Sequence, residues 1–184
     1  MNRQHFLQLR NNLYNDFIEC YTDGSKMNGN TGYAFIINDF VCSHRLPSTC
    51  SVFTAELFAI YKAVEYIENT DWEKIVIFSD SLSALQAIDN NKLKCHYMFK
   101  LQKLLALSNK EIVLEYCPAH VGIQGNTKAD EAAKLATNNV DSLAVVMHSY
   151  DFKPLIKNFV FQRWQTKWSQ TNCYLRGIKP LIED

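Results

Sequence analysis

Four acidic residues stand where carboxylates could hold metal ions together. Asp23 and Asp80 each end a short apolar run, whereas Glu56 and Asp130 lie inside patterns typical of helices. Strand ends can bring side chains together at one rim of a sheet. Carboxylates are hard oxygen ligands, so acids gathered at such a rim could bind Mg²⁺. A pair of such ions, about 4 Å apart, can clamp the attacking and leaving oxygens of a phosphoryl transfer. Phosphoryl transfer is therefore the chemistry that these residues predict.

The four acids lie in motifs that occur in a recognisable order. These are Tyr-Thr-Asp-Gly-Ser around Asp23, Thr-Ala-Glu-Leu around Glu56, Phe-Ser-Asp-Ser around Asp80, and Ala-His-Val-Gly at His120 followed by Ala-Asp at Asp130. One tetrapeptide alone is a weak signal, but four in order are strong. The set resembles a ribonuclease H domain, and is most similar to the type carried by non-LTR retrotransposon polyproteins.

The resemblance implies a metal-ligand set of Asp23, Glu56, Asp80 and Asp130, in which Asp23 bridges two Mg²⁺ ions and Mn²⁺ can substitute. Taken singly, an acid at a strand end is often only a cap or turn residue, and Glu56 would also suit a helix dipole. The fourth ligand is assigned by spacing, since His120, Asn126 and Asp130 are 6 and 4 residues apart, as in the family.

The resemblance also implies roles outside the metal-ligand set. His120 is expected to assist proton transfer or product release, from a loop rich in glycine. An RNA/DNA hybrid would be read through shape, phosphates and 2′-hydroxyl groups. The residues expected to contact it are Gly24, Ser25, Ser51 and Asn126. Val52 and Phe53 depart from the family pattern, which places polar amides there, so they bear on hybrid affinity more than on chemistry.

The activity implied is a metal-dependent endonuclease that hydrolyses the RNA strand of RNA/DNA hybrids during reverse transcription of a mobile element. The chain has no Tyr-x-Asp-Asp polymerase signature, so it is not expected to copy RNA by itself. Two origins stay open: a fragment of a larger polyprotein, with its reverse transcriptase domain as partner, or a stand-alone derivative. Two alternatives stay open: a catalytically silent hybrid-binding remnant, and another nuclease or transposase on the same fold. We expect a monomer inside the cell, in cytoplasm or nucleus.

Periodicity predicts the elements that must position these residues. Apolar runs with turn signals between them, such as Asn28-Gly29-Asn30, predict strands, and 3.6-residue patterns predict helices. In the helix predicted over 53–68, Ser51 is the N-cap candidate, and one apolar face is expected, formed by Leu57, Ile60, Val64 and Ile67. The predicted strands are 18–24, 32–38, 40–46, 74–79 and 112–117, and the predicted core helices are 53–68, 81–89, 94–107 and 126–137. This order indicates an α/β, ribonuclease H-like fold with three antiparallel and two parallel strands in one sheet flanked by helices.

Three segments are expected along the chain. Residues 1–17 are polar and predict a leader or linker, residues 18–139 the catalytic domain, and residues 140–184 an extension with an amphipathic helix over 151–169.

Composition agrees with a globular domain of this kind. The 184 residues are 47% apolar and 21% charged, and no run of about 18 apolar residues predicts a membrane span. Net charge is zero, and residues 18–139 carry 11 basic and 14 acidic side chains, a deficit that two bound divalent ions would reverse. The six cysteines form no Cys-x-x-Cys pair, so free thiols are expected rather than a zinc site between Cys117 and His120.

Overall fold

The architecture is taken from a computed structural model, which describes residues 1–90, 95–171 and 174–178. Its strands are β1 (Ile18–Met27), β2 (Asn30–Ile37), β3 (Phe40–Leu46), β4 (Lys74–Ser79) and β5 (Glu111–Tyr116). Its helices are α1 (Arg3–Leu13), α2 (Val52–Ile67), α3 (Leu82–Asp89), α4 (His96–Leu107), α5 (Gln124–Ala136), α6 (Ser149–Gln170) and α7 (Tyr174–Ile178). Each predicted strand is present; Lys94, at the start of the helix predicted over 94–107, lies outside the described residues.

The five strands form one mixed sheet in the order β3-β2-β1-β4-β5. β1, β2 and β3 pair antiparallel, whereas β4 runs parallel to β1 and β5 parallel to β4. Asn28 and Gly29 turn the chain between β1 and β2 with φ values of 51° and 81°, a left-handed region that these two residue types tolerate best. The predicted fold class is confirmed.

Helix α2 covers one part of this sheet and carries the second acid. Ser51 caps it, as predicted, because its hydroxyl accepts a hydrogen bond from the Thr54 N–H at 3.2 Å. Leu57, Ile60 and Val64, three residues of the predicted apolar face, are all buried. Burial of that face fixes the rotation of α2 about its axis, and hence where Glu56 points.

The N-terminal segment differs from the predicted leader or linker. Residues 3–13 form α1, which Asn2 caps by accepting a hydrogen bond from the His5 N–H at 2.9 Å. Phe6 is fully buried, and its ring lies 5.1 Å from that of Phe78 in β4. Leu7 and Leu9 of the same helix pack, partly buried, against the same core cluster, so a few apolar side chains attach this mostly polar helix, and the polar composition alone was misleading.

The chain divides into two compact units between Val146 and Met147. The predicted domain boundary at 139/140 lies before this point. Residues 140–146 stay with the first unit because the Leu143 N–H donates to the Arg45 carbonyl of β3 at 2.9 Å and Ser142 bridges to the same residue. In the second unit, α6 includes the helix predicted over 151–169, and its apolar side chains are mostly exposed.

Two further expectations concern the cysteines and membrane-spanning helices. The five cysteines in the described part of the chain are free thiols, as predicted. Within that same part, no helix combines the length and apolar character needed to cross a membrane.

Candidate metal centre

Asp23 and Asp80 are brought together by the parallel pairing of β1 with β4. Thr22 pairs with Ser79 in this register, so Asp80, the first residue after β4, comes beside Asp23, which continues β1 and pairs with Ala34 of β2. The carboxyl end of β4 thus lies against the middle of the longer strand β1, and the carboxyl ends of parallel strands are where α/β sheets commonly place functional side chains.

Glu56 joins them because α2 approaches β1 unusually closely at Gly24. A Cβ on Gly24 would lie 2.5 Å from the Glu56 backbone nitrogen and 2.8 Å from the Ala55 carbonyl carbon. Only glycine permits this contact. One carboxylate oxygen from each of Asp23, Glu56 and Asp80 then lies within 4.8 Å of the other two.

The cluster is buried and electrostatically costly without a cation. Burial, with the neighbouring carboxylates of Asp23, Asp80 and Asp130, raises the pKa of Glu56 to about 9, although a hydrogen bond from the Gly24 backbone N–H opposes the shift. Burial, with Asp80 and Asp130, raises the pKa of Asp23 to about 8, and the Lys134 ammonium opposes that shift. Three acids this close favour either a shared proton or a bound cation.

An unsatisfied oxygen also indicates a ligand. Oε2 of Glu56 is buried and has no hydrogen-bond partner among the described residues, and the whole residue is 6% exposed. A buried carboxylate oxygen left unpaired is costly. The donor set consists of hard oxygens, which suits Mg²⁺ or Mn²⁺ rather than zinc. The residues present therefore fit a divalent metal site.

Asp130 lies on α5 and is near the other three acids but outside their closest group. Its field raises the pKa of both Asp23 and Glu56. Its own Oδ2 accepts from the Lys134 ammonium at 2.6 Å, one helical turn along α5. Glu131 is exposed, as expected for a solvated neighbour.

Asn126 contacts Asp80, and its predicted contact with substrate stays a prediction. Its Nδ2 donates to Oδ2 of Asp80 at 3.0 Å, and the residue is 4% exposed. Oδ1 of Asn126 is buried and has no hydrogen-bond partner among the described residues. The amide thus holds one face of Asp80 and leaves an acceptor atom beside the centre.

His120 lies in the turn between β5 and α5. The residue is exposed and has a φ of 56°. Such left-handed backbone is uncommon outside glycine and asparagine. Since no described residue is recorded as a partner of its imidazole, the side chain is free to meet a substrate, as its predicted role requires.

The other predicted substrate contacts have structural duties as well. Gly24 makes room for α2, Ser25 is 9% exposed, and Ser51 caps α2. Val52 is exposed and Phe53 partly buried on the first turn of that helix, directly after Ser51. Their contacts with nucleic acid stay a prediction.

Sequence reasoning missed Lys134. A usable signal was present, because Asp130 and Lys134 are four residues apart in a predicted helix, the spacing at which opposite charges meet.

A family model for RNase H matches residues 15–138, about two thirds of the chain. The chain belongs to the RNase H family. A comparison with curated proteins found no match. The RNase H match begins after α1 and ends before α6, so both helices lie outside the part that defines the family. It includes all four acids and His120.

Proposed function

We propose that this RNase H domain hydrolyses the RNA strand of RNA/DNA hybrids with two Mg²⁺ ions, for which Mn²⁺ can substitute. The observation that carries the proposal is the buried group of Asp23, Glu56 and Asp80, whose oxygens lie within 4.8 Å of one another and include an unpaired one on Glu56. Membership of the RNase H family supports nuclease activity on such hybrids.

Each of these residues has its own role in an in-line displacement at phosphorus. Bound divalent ions would activate a water and stabilise the leaving 3′-oxygen. Asp23 on β1 and Asp80 after β4 hold the centre from the sheet, and Glu56 closes it from α2. Asn126 fixes the orientation of Asp80 through its hydrogen bond at 3.0 Å. His120, exposed on its turn, is placed to relay a proton or help the product leave.

The biological setting follows from the motif likeness. We infer that the domain clears the RNA template during reverse transcription of a retrotransposon, beside a reverse transcriptase domain of the same polyprotein. It would act as a monomer inside the cell.

A catalytically silent hybrid-binding remnant is the second candidate, and Val52 and Phe53 favour it, because apolar residues stand where the family places polar amides. The complete acidic set argues against it. Loss of function usually removes a ligand first, and here all four acids remain.

The test is cleavage of end-labelled RNA/DNA hybrid beside duplex RNA and duplex DNA. We expect RNA-strand cleavage of the hybrid alone, with Mg²⁺ or Mn²⁺. Ca²⁺ should bind yet support little turnover, because its larger and looser coordination misplaces the water. Glu131→Gln, which removes an exposed acid from α5, is the matched control and should keep full activity. Activity in EDTA would refute the metal mechanism, and hybrid binding without cleavage would favour the silent remnant.

A further inference from the structure

The fourth acid, Asp130, already forms an ion pair with a lysine side chain. Oδ2 of Asp130 lies 2.6 Å from Nζ of Lys134, with the Asp130 side chain 21% exposed and that of Lys134 44% exposed. Asp23, Glu56 and Asp80 form the tight group, and Asp130 is not part of it. Asp130 is thus held by its own helix neighbour at the margin of the centre.

The Lys134 charge acts on the centre as well as on its partner. It lowers the pKa of Asp23, opposing the rise that burial and the other acids cause. Asp130 and Asp23 in turn help to raise the pKa of Lys134. Without a metal, the ammonium therefore supplies positive charge that the buried carboxylates otherwise lack.

A second lysine on α5 provides a comparison. Lys128 is exposed and lines a cleft of about 570 Å³ together with Arg3 and Arg10 of α1. No ion pair is recorded between it and a described acid, and it is absent from the groups that shift the pKa of Asp23 or Glu56. The two lysines carry the same charge on one helix, but only Lys134 contacts a proposed ligand.

We propose that Lys134 is an internal counterion that a divalent cation must displace, so that Asp130 joins the site only when its ion pair with Lys134 breaks. The inference rests on the proposed function, since it concerns the same four acids. It adds a positioning residue that sets how readily the last ligand is released. The pair suits such an exchange, because a half-exposed ion pair is weak enough to be broken.

The alternative hypothesis is that Asp130 and Lys134 form an ordinary ion pair on the helix surface, between residues four apart, which only stabilises α5. The counterion hypothesis and this structural hypothesis predict different effects on metal affinity. A competing cation lowers the apparent affinity for Mg²⁺, and by reciprocity Mg²⁺ weakens the pair. A purely structural pair leaves metal affinity unchanged.

The experiment is calorimetric titration of the full chain with MgCl₂ at constant ionic strength, without substrate. Lys134→Met should tighten apparent Mg²⁺ binding at least about threefold, because it removes the competing charge. Lys134→Gln should behave alike, whereas Lys134→Arg should stay near wild type. Lys128→Met removes the same charge from the same helix and should also stay near wild type, since Lys128 is exposed and an exposed charge without an ion pair to a described acid is screened.

A double-mutant cycle isolates the contact. In an Asp130→Asn background, Lys134→Met should change Mg²⁺ affinity much less than in the wild type, and only through its remaining field on Asp23. The inference is overturned if Lys134→Met leaves binding unchanged or weaker, if Lys128→Met matches it, or if the effect is as large in that background as in the wild type. Failure of the wild-type chain to bind Mg²⁺ at all would instead overturn the proposed function, and this inference with it.

Discussion

Asp23 and Asp80 are neighbours because Thr22 pairs with Ser79 in the parallel register of β1 and β4. The two acids are 57 positions apart in the sequence, and a register shift of one residue would turn one of them to the opposite face of the sheet. The candidate metal centre is thus a property of strand pairing.

Asp23→Asn should reduce Mg²⁺-dependent cleavage by more than about 100-fold, because a ligand contributes at least as much as the partners that orient it. The fold should persist, since the amide is isosteric. Hybrid cleavage and circular dichroism check the two parts. Glu131→Gln is the control, and a folded Asp23→Asn protein with normal turnover would disprove the site assignment.

The metal-free protein should lose stability as the pH rises. The pKa of Asp23 is raised on folding from 3.8 to about 8 and that of Glu56 from 4.5 to about 9. Between these limits the folded protein keeps protons that the unfolded chain releases, so the free energy of unfolding falls with increasing pH.

Denaturant titration in EDTA from pH 5 to pH 9 measures this trend. Glu56→Gln should reduce the decline by at least about 1 kcal/mol, the equivalent of a little under one pKa unit. Saturating Mg²⁺ should also reduce it, because the cation stabilises the ionised acids. A wild-type protein whose stability rises over this range would contradict the burial of the cluster.

Gly24→Ala should damage both stability and catalysis. The added Cβ would meet backbone atoms of Ala55 and Glu56 at 2.8 Å and 2.5 Å, and backbone cannot rotate away. We expect a loss of about 2 kcal/mol in the free energy of unfolding, as for other overpacked sites, with weaker Mg²⁺ binding because Glu56 moves away from Asp23. Gly29→Asn is the control, since its turn has open space and asparagine tolerates positive φ. Equal effects of the two changes would contradict the close approach.

His120→Ala should slow turnover about 10- to 100-fold, in the lower part of the range for a proton-transfer group, without changing Mg²⁺ affinity. The positive φ of 56° complicates alanine, so His120→Asn is a second variant that tolerates this backbone. Equal loss of activity in both variants assigns the effect to the imidazole. Loss of metal binding in both would show that His120 is a ligand.

Two truncated fragments test whether the catalytic unit ends at Val146 or at Asn139. The fragment 1–146 keeps the hydrogen bond from the Leu143 N–H to the Arg45 carbonyl and that from the Val146 N–H to the Tyr97 hydroxyl, at 2.9 Å and 2.8 Å. At about 1 kcal/mol per hydrogen bond, the fragment 1–139 should be about 2 kcal/mol less stable. Both should cleave hybrids. Equal denaturation midpoints would show that residues 140–146 contribute nothing.

Much of the secondary structure of this protein could be predicted from local sequence patterns. Apolar runs bounded by turn signals and helical spacing predicted each strand and the core helices of the described residues, because both patterns are local properties of the chain. Ser51 as a cap and the turn at Asn28 and Gly29 followed from residue chemistry. The four acids were identified by their motifs before any geometry was known.

Two expectations that differ from the structure have equally physical causes. The polar composition of residues 1–17 predicted a linker, yet Phe6 packs against Phe78 and holds α1 on the sheet, and a long-range contact leaves no trace in local composition. The boundary at 139/140 missed the bonds of Leu143 to Arg45 for the same reason.

The sequence by itself determined which residue types are available: four acids, a histidine, and the strands and helices that carry them. Only the tertiary structure decided that Asp23, Glu56 and Asp80 converge, that Asn126 holds Asp80, and that Asp130 is paired with Lys134. Strand register and the close approach of α2 at Gly24 produce these distances. Both depend on packing between segments far apart in the chain, which no local pattern specifies.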